Sequence, residues 1–285
     1  MANQLASWSF LFHFLLLMCA QGNGSRVKIE NNNIIRLPNT KEAHQDGHMH
    51  HMVHPSAKVF FTLKDLKIGS VIATSLPKLG SSKYPPLFTR EKAESIPFSL
   101  KHLPYLLHLF SISPDSPQAS AMEDALRQCE SEPIRGETKF CATSLESMLD
   151  FVSDMIGQES RFQVLVTRHL ADSSSSSSNS GLVKNYTIIE ATKEMSPSKM
   201  VACHTTAYPY TIYLCHGQSG GNKVFKILLD GENGEKIEAV SVCHMDTSNW
   251  SPDHVSFMIL GTHPGASEVC HFFPEEHLVW VPADP

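Results

Sequence analysis

The chain has 285 residues, 41% of them hydrophobic and 18% charged, enough for one large domain or two small ones with a buried core. A net charge of −6 argues against a nucleic-acid-binding surface, which needs a basic face. No apolar run reaches the ~18 residues that a membrane-spanning helix requires, so no transmembrane segment is expected. The unusual residues are the 16 His and 7 Cys.

Residues 10–20 form an apolar stretch that ends in small residues before Gln21-Gly22. Its length suits the hydrophobic region of a signal peptide, although no Lys or Arg precedes it. The reading is a cleaved secretory signal over residues 1–22. Its removal takes away Cys19 and leaves six cysteines in an oxidising compartment, where thiols pair. Sequons at Asn23, Asn185 and Asn249 are compatible with that route and are candidate glycosylation sites.

Residues 23–58 are polar, with no sustained apolar period, and read as a flexible arm. His44, His48, His50, His51 and His54 crowd into it, with Met49 and Met52 between them. Such a tract can bind copper, nickel or zinc weakly, or serve as a solvated linker that charges at about pH 5–6.

Globular sequence begins at Val59. A capping box, Ser120 to Glu123, marks a helix toward Arg127, and a second, Thr143 to Glu146, opens a helix that stops at Gly157. Beyond Arg161 the segments 162–170, 185–191, 211–215, 223–229, 236–244, 255–260 and 278–281 are short and rich in β-branched or aromatic residues, so they read as strands. Gly231 to Gly234 is a hairpin turn between two of them, and the serine run 173–178 is a solvated loop. Helices placed before a β-rich body give an α+β class.

Four cysteines are each followed by histidine, in Cys203-His204, Cys215-His216, Cys243-His244 and Cys270-His271, with intervals of 10, 26 and 25 residues. Adjacent side chains on a strand point to opposite faces, so a cysteine and its histidine cannot easily serve one site. If the cysteines pair as disulfides, four imidazoles remain to converge on the other side. Neutral imidazoles suit Cu(II), Zn or Ni. Structural histidines are the alternative. Cys129 and Cys141 stand apart from the doublets, and a disulfide closing the loop between two helices is the simple reading. The bridges among the doublet cysteines stay open.

This spacing resembles that of the plant BURP domain. Phe60-Phe61 with Asp65-Leu66, the run from Lys139 to Met148, and Cys270-His-Phe-Phe273 with Val279-Trp-Val281 also match that family's motifs. The resemblance covers roughly residues 59–283. It implies a predominantly antiparallel, disulfide-braced β-rich domain with a few short helices. It also implies a secretory-pathway protein of the apoplast or storage vacuole, linked to seed development and stress in the short members of the family.

Other members are copper-dependent peptide cyclases that oxidatively join a Tyr or Trp side chain to another residue. By that resemblance His204, His216, His244 and His271 are the expected copper ligands. The arm holds no Tyr or Trp, and the first phenol after the signal is the single Tyr84. Cyclisation would therefore act on a separate precursor peptide in trans. A non-catalytic apoplastic or vacuolar protein is the alternative. His102, His108, His169, His254, His263 and His277 read as ordinary histidines, and Glu275-Glu276 as a solvated patch. No phosphate loop, nucleophile elbow or HExxH is present.

Overall fold

The strands of the second half assemble into two antiparallel sheets. The computed structural model describes residues 59–78, 85–158, 160–170, 183–197, 199–218, 221–232 and 234–283. The expected signal, the arm with its five clustered histidines, Asn23, Tyr84 and the serine run lie outside the described residues.

Among the described residues the larger sheet has seven strands. Its order is β1 (Phe60–Phe61), β11 (Val269–Phe273), β10 (Lys236–His244), β9 (Asn222–Gly231), β6 (Lys184–Met195) and β2 (Val71–Thr74), with β5 (Arg168–His169) also paired to β10. The smaller has five, in the order β3 (Glu137–Ala142), β8 (Tyr213–Gln218), β7 (Val201–Thr205), β12 (Leu278–Pro282) and β4 (Phe162–Leu165).

Alternation along the strands explains how the sheets stack. On β10, Val240 and Val242 share a core with Phe273 of β11 and with Leu165, Ala202, Val279 and Val281 of the smaller sheet. That core lies between the two sheets. The flanking Ala239 and Cys243 turn to the opposite face, where they pack with Phe61, Ile72, Tyr186 and Cys270. The outer face of the smaller sheet is covered by the helix α4 (Leu145–Ile156), whose Met148, Val152 and Ile156 bury against Val201, Cys203, Cys215 and Trp280. This is helical spacing laid on a strand face.

The remaining α-helices among the described residues are α1 (Arg90–Glu94), α2 (Leu103–Leu109), α3 (Pro117–Glu130) and α5 (Val255–Leu260). Helix α3 begins earlier than expected, because Ser116 caps it through a 3.1 Å bond from Ala119 N–H and Pro117 takes the first position. Ser120 and Glu123 therefore lie inside it. The cap of α4 is Ser144, with Ser147 closing its box, and Gly157 at φ +128° ends it as expected. Residues 255–260 are a helix rather than a strand. His254 caps its start and Gly261, at φ +64°, closes it, signals that outweigh the composition of a short apolar run.

Cys129 and Cys141 are bridged, but the bond ties α3 to β3 rather than one helix to another. Strands β1, β2, β3, β7 and β11 have no counterpart in the expected elements. Their residues reach strand geometry by pairing: β1 with β11, β2 with β6, β3 with β8, β7 with β12 and β11 with β10.

Candidate functional site

Two further disulfides join Cys203 to Cys215 and Cys243 to Cys270. In each pair the two cysteines are direct partners on neighbouring strands, β7 with β8 and β10 with β11. The histidine after each cysteine must then point the other way, between the sheets. His204 stands opposite Leu214 and His216 opposite Ala202, so these two imidazoles are diagonal neighbours on one face. His244 and His271 repeat the arrangement on the facing sheet, opposite Val269 and Val242.

The four rings come together in a seam. His216 Nε2 is 3.3 Å from His204 Nε2. The rings of His204 and His271 lie 6.1 Å apart across the two sheets, and those of His271 and His244 stack at 5.6 Å. Phe273 sits 4.9 Å from both His204 and His271 and forms the apolar floor. His244 and His271 are buried, whereas His204 and His216 are half-buried.

Each ring is oriented by a specific neighbour. His244 Nδ1 donates to Asn222 Oδ1 at 3.1 Å, and Asn222 Nδ2 in turn donates to the Gln218 carbonyl. His271 Nδ1 faces the Phe272 carbonyl at 3.3 Å. His216 Nδ1 lies 2.8 Å from Glu137 Oε1, at ion-pair distance though off the axis of a linear hydrogen bond. An amide or carbonyl oxygen can only accept, and a carboxylate repels a facing lone pair, so the neutral form of these three rings carries its proton on Nδ1 and its lone pair on Nε2.

Several participants carry no doublet to mark them in the sequence. His277, expected to be ordinary, is buried with its Nδ1 3.0 Å from His204 Nδ1. Trp250 packs against His244 at 5.0 Å and His254 at 4.6 Å, so His254 extends the seam besides capping α5. Glu276 is half-buried rather than solvated. Burial pushes its carboxyl up, and the charge of Glu275 adds to the rise. His169 lies elsewhere, where its Nδ1 meets Glu235 Oε1 at 3.0 Å. Asn249 is exposed in a turn, and Asn185 is exposed on β6 with its amide donating to Glu232. Among the described residues no group of three or more His, Cys, Asp or Glu side chains stands in position to hold a metal ion.

The family model of the BURP domain matches residues 59–282. The chain belongs to the BURP domain family. It is 43% identical over 228 residues to BURP domain protein USPL1 of Arabidopsis thaliana, covering 80% of this chain and 81% of that one. It is 39% identical over 272 residues to BURP domain-containing protein BNM2C of Brassica napus, with 95% of each chain covered. Protein RAFTIN 1A of Triticum aestivum is 37% identical over 225 residues, 78% of this chain and 55% of that protein. The disulfide-stapled seam thus lies within the BURP domain. No helix among the described residues is long and apolar enough to cross a membrane.

Proposed function

We propose that this BURP domain protein travels the secretory pathway to the apoplast or storage vacuole and binds copper at its histidine seam. There it cross-links Tyr or Trp side chains of a separate precursor peptide. The observation that carries the reading is the approach of His204 and His216 to His244 and His271 in one inter-sheet seam, with the lone pair of three of the rings on Nε2. Imidazole is a donor suited to copper. Two ligands at about 2.0–2.1 Å in a tetrahedral shell are themselves about 3.3–3.4 Å apart, and His204 and His216 are 3.3 Å apart at Nε2. The donors fit the ion in kind, and at this pair in spacing; a fuller shell requires side-chain rotation by the others.

Joining a phenol or indole to another side chain removes two hydrogens overall, and bound copper would supply the one-electron chemistry that passes those electrons to dioxygen. The protein's own contribution is positional. The Cys203–Cys215 and Cys243–Cys270 bridges hold the strands in register, Asn222 and Glu137 orient His244 and His216, and Phe273 keeps water from the floor of the seam. Three disulfides support an oxidising compartment.

A second reading, a non-catalytic apoplastic or vacuolar protein of seed development and stress response, is favoured by the lack of any three-ligand group in position among the described residues.

The test is elemental mass spectrometry of the secreted full-length protein and of the His204→Ala and His216→Ala variants. Stoichiometric copper in the parent and its loss in the variants, with all disulfides intact, supports the metal reading; screening of Tyr- and Trp-containing peptides for a two-hydrogen mass loss follows. A folded, disulfide-bonded protein that takes up no copper selects the non-catalytic reading.

A further inference from the structure

We infer that Glu137 is the positioning residue of the seam: its carboxylate holds His216 in the Nδ1–H form and so puts the ring's lone pair on Nε2. The consequence for copper rests on the metal-centre reading above, whereas the proton position does not.

Glu137 opens β3 just after Gly136, whose φ of +83° turns the chain into the strand. On β3, Lys139 is the direct partner of His216, so Glu137, two residues earlier, lies on the same face as a diagonal neighbour. Its side chain is only 4% exposed. Oε2 accepts the Ile134 N–H at 3.0 Å, while Oε1 lies 2.8 Å from His216 Nδ1 in a contact that is electrostatic rather than hydrogen-bonded. A lone pair on Nδ1 facing a buried carboxylate at 2.8 Å would be repelled by it, which makes the Nδ1–H form of His216 the favourable one.

The effect propagates. With its proton on Nδ1, His216 offers a lone pair at Nε2, so in the metal-free protein His204 Nε2, 3.3 Å away, is the donor. His204 Nδ1 is then an acceptor, and His277 Nδ1 at 3.0 Å donates to it. One carboxylate thus sets the proton positions of three imidazoles in series.

Glu137→Gln separates this role from simple packing, because it keeps the shape but leaves a single acceptor oxygen. The Ile134 N–H claims that oxygen, and the amide NH2 then faces His216, which requires a lone pair at Nδ1 and moves the proton to Nε2.

The experiment uses the full-length protein with 15N-labelled histidine, metal-free, and long-range 1H–15N correlation spectra to read which ring nitrogen of His216 is protonated. Disulfide content by mass and the near-ultraviolet circular dichroism confirm folding. The parent is expected in the Nδ1–H form and Glu137→Gln in the Nε2–H form. Glu137→Asp, which retains the charge on a shorter arm, is expected to give a mixture, and provides the reading if the Gln variant does not fold. Cu(II) affinity, measured by competition with a chelator, is expected to fall about 10–100-fold in Glu137→Gln. An unchanged proton position on His216 overturns the inference whatever the copper result. A switched proton position in a protein whose parent takes up no Cu(II) upholds the inference and sinks the metal-centre reading. A switched position with undiminished Cu(II) affinity overturns the ligand consequence alone.

Discussion

Removing the three disulfides one at a time should destabilise the protein unequally, in an order set by loop length and burial. Cys243 and Cys270 are separated by 27 residues, and Cys203 and Cys215 by 12. Loop-closure entropy in the unfolded chain makes the longer bridge worth about 3.5 kcal/mol and the shorter about 2.8 kcal/mol at 25 °C. All four of these cysteines are fully buried, so truncation to Ala removes similar packing at both places. Cys129–Cys141 also closes 12 residues, but both of its cysteines are only half-buried, so less packing is lost with it. The expected order of cost for the paired Cys→Ala variants is Cys243/Cys270, then Cys203/Cys215, then Cys129/Cys141. The first two should differ by about 0.7 kcal/mol. Guanidinium unfolding of the secreted protein, followed by tryptophan fluorescence, reads this as differences in unfolding free energy, with the slope fitted for each variant because losing a bridge expands the unfolded chain. If the Cys129/Cys141 variant loses as much as the Cys243/Cys270 variant, the account in terms of loop closure and burial is wrong.

Two predictions concern pH. Burial pushes the Tyr210 hydroxyl up to about 12, and burial together with the charge of Tyr210 raises Tyr208 further. Both folded values lie above the ordinary 10.0, so stability is full below pH 10 and declines as the pH rises beyond it. Phenolate absorbance should therefore show these two tyrosines ionising together with loss of native dichroism; their ionisation near pH 10 in a still-folded protein contradicts the buried placement. At Glu235, burial raises the carboxyl's pKa, but Lys184 at 2.9 Å and His169 at 3.0 Å outweigh it and hold the group below its ordinary value. This contribution is present above the unfolded carboxylate range and is lost as the pH falls through the folded value. Lys184→Met should shift the acid-unfolding midpoint, followed by circular dichroism, to higher pH, and an unmoved midpoint refutes the assignment.

Local patterns that are short and self-contained could be read directly. The strand over Lys236–His244 and the turn at its start follow from β-branched composition and glycine placement, and Gly157 stops α4 because few other residues tolerate its backbone angle. Ambiguity entered where a run was too short to show a period. Val255–Leu260 has a strand-like composition, yet capping by His254 and Gly261 makes it a helix. Strand β11 is buried along its whole length, so it shows no alternation to read.

The doublets themselves determine a division of faces: neighbouring residues on a strand diverge, so bridged cysteines send their histidines to the opposite side. That much of the seam is written in the sequence. Which cysteine meets which, and that the two histidine pairs face each other across the sheets, depends on strand order and register, and contacts between distant segments decide these. The same holds for Glu137, Asn222, Trp250 and His277. Nothing in their local sequence marks them, since an orienting neighbour is defined by a distance in space and only the packed sheets create it.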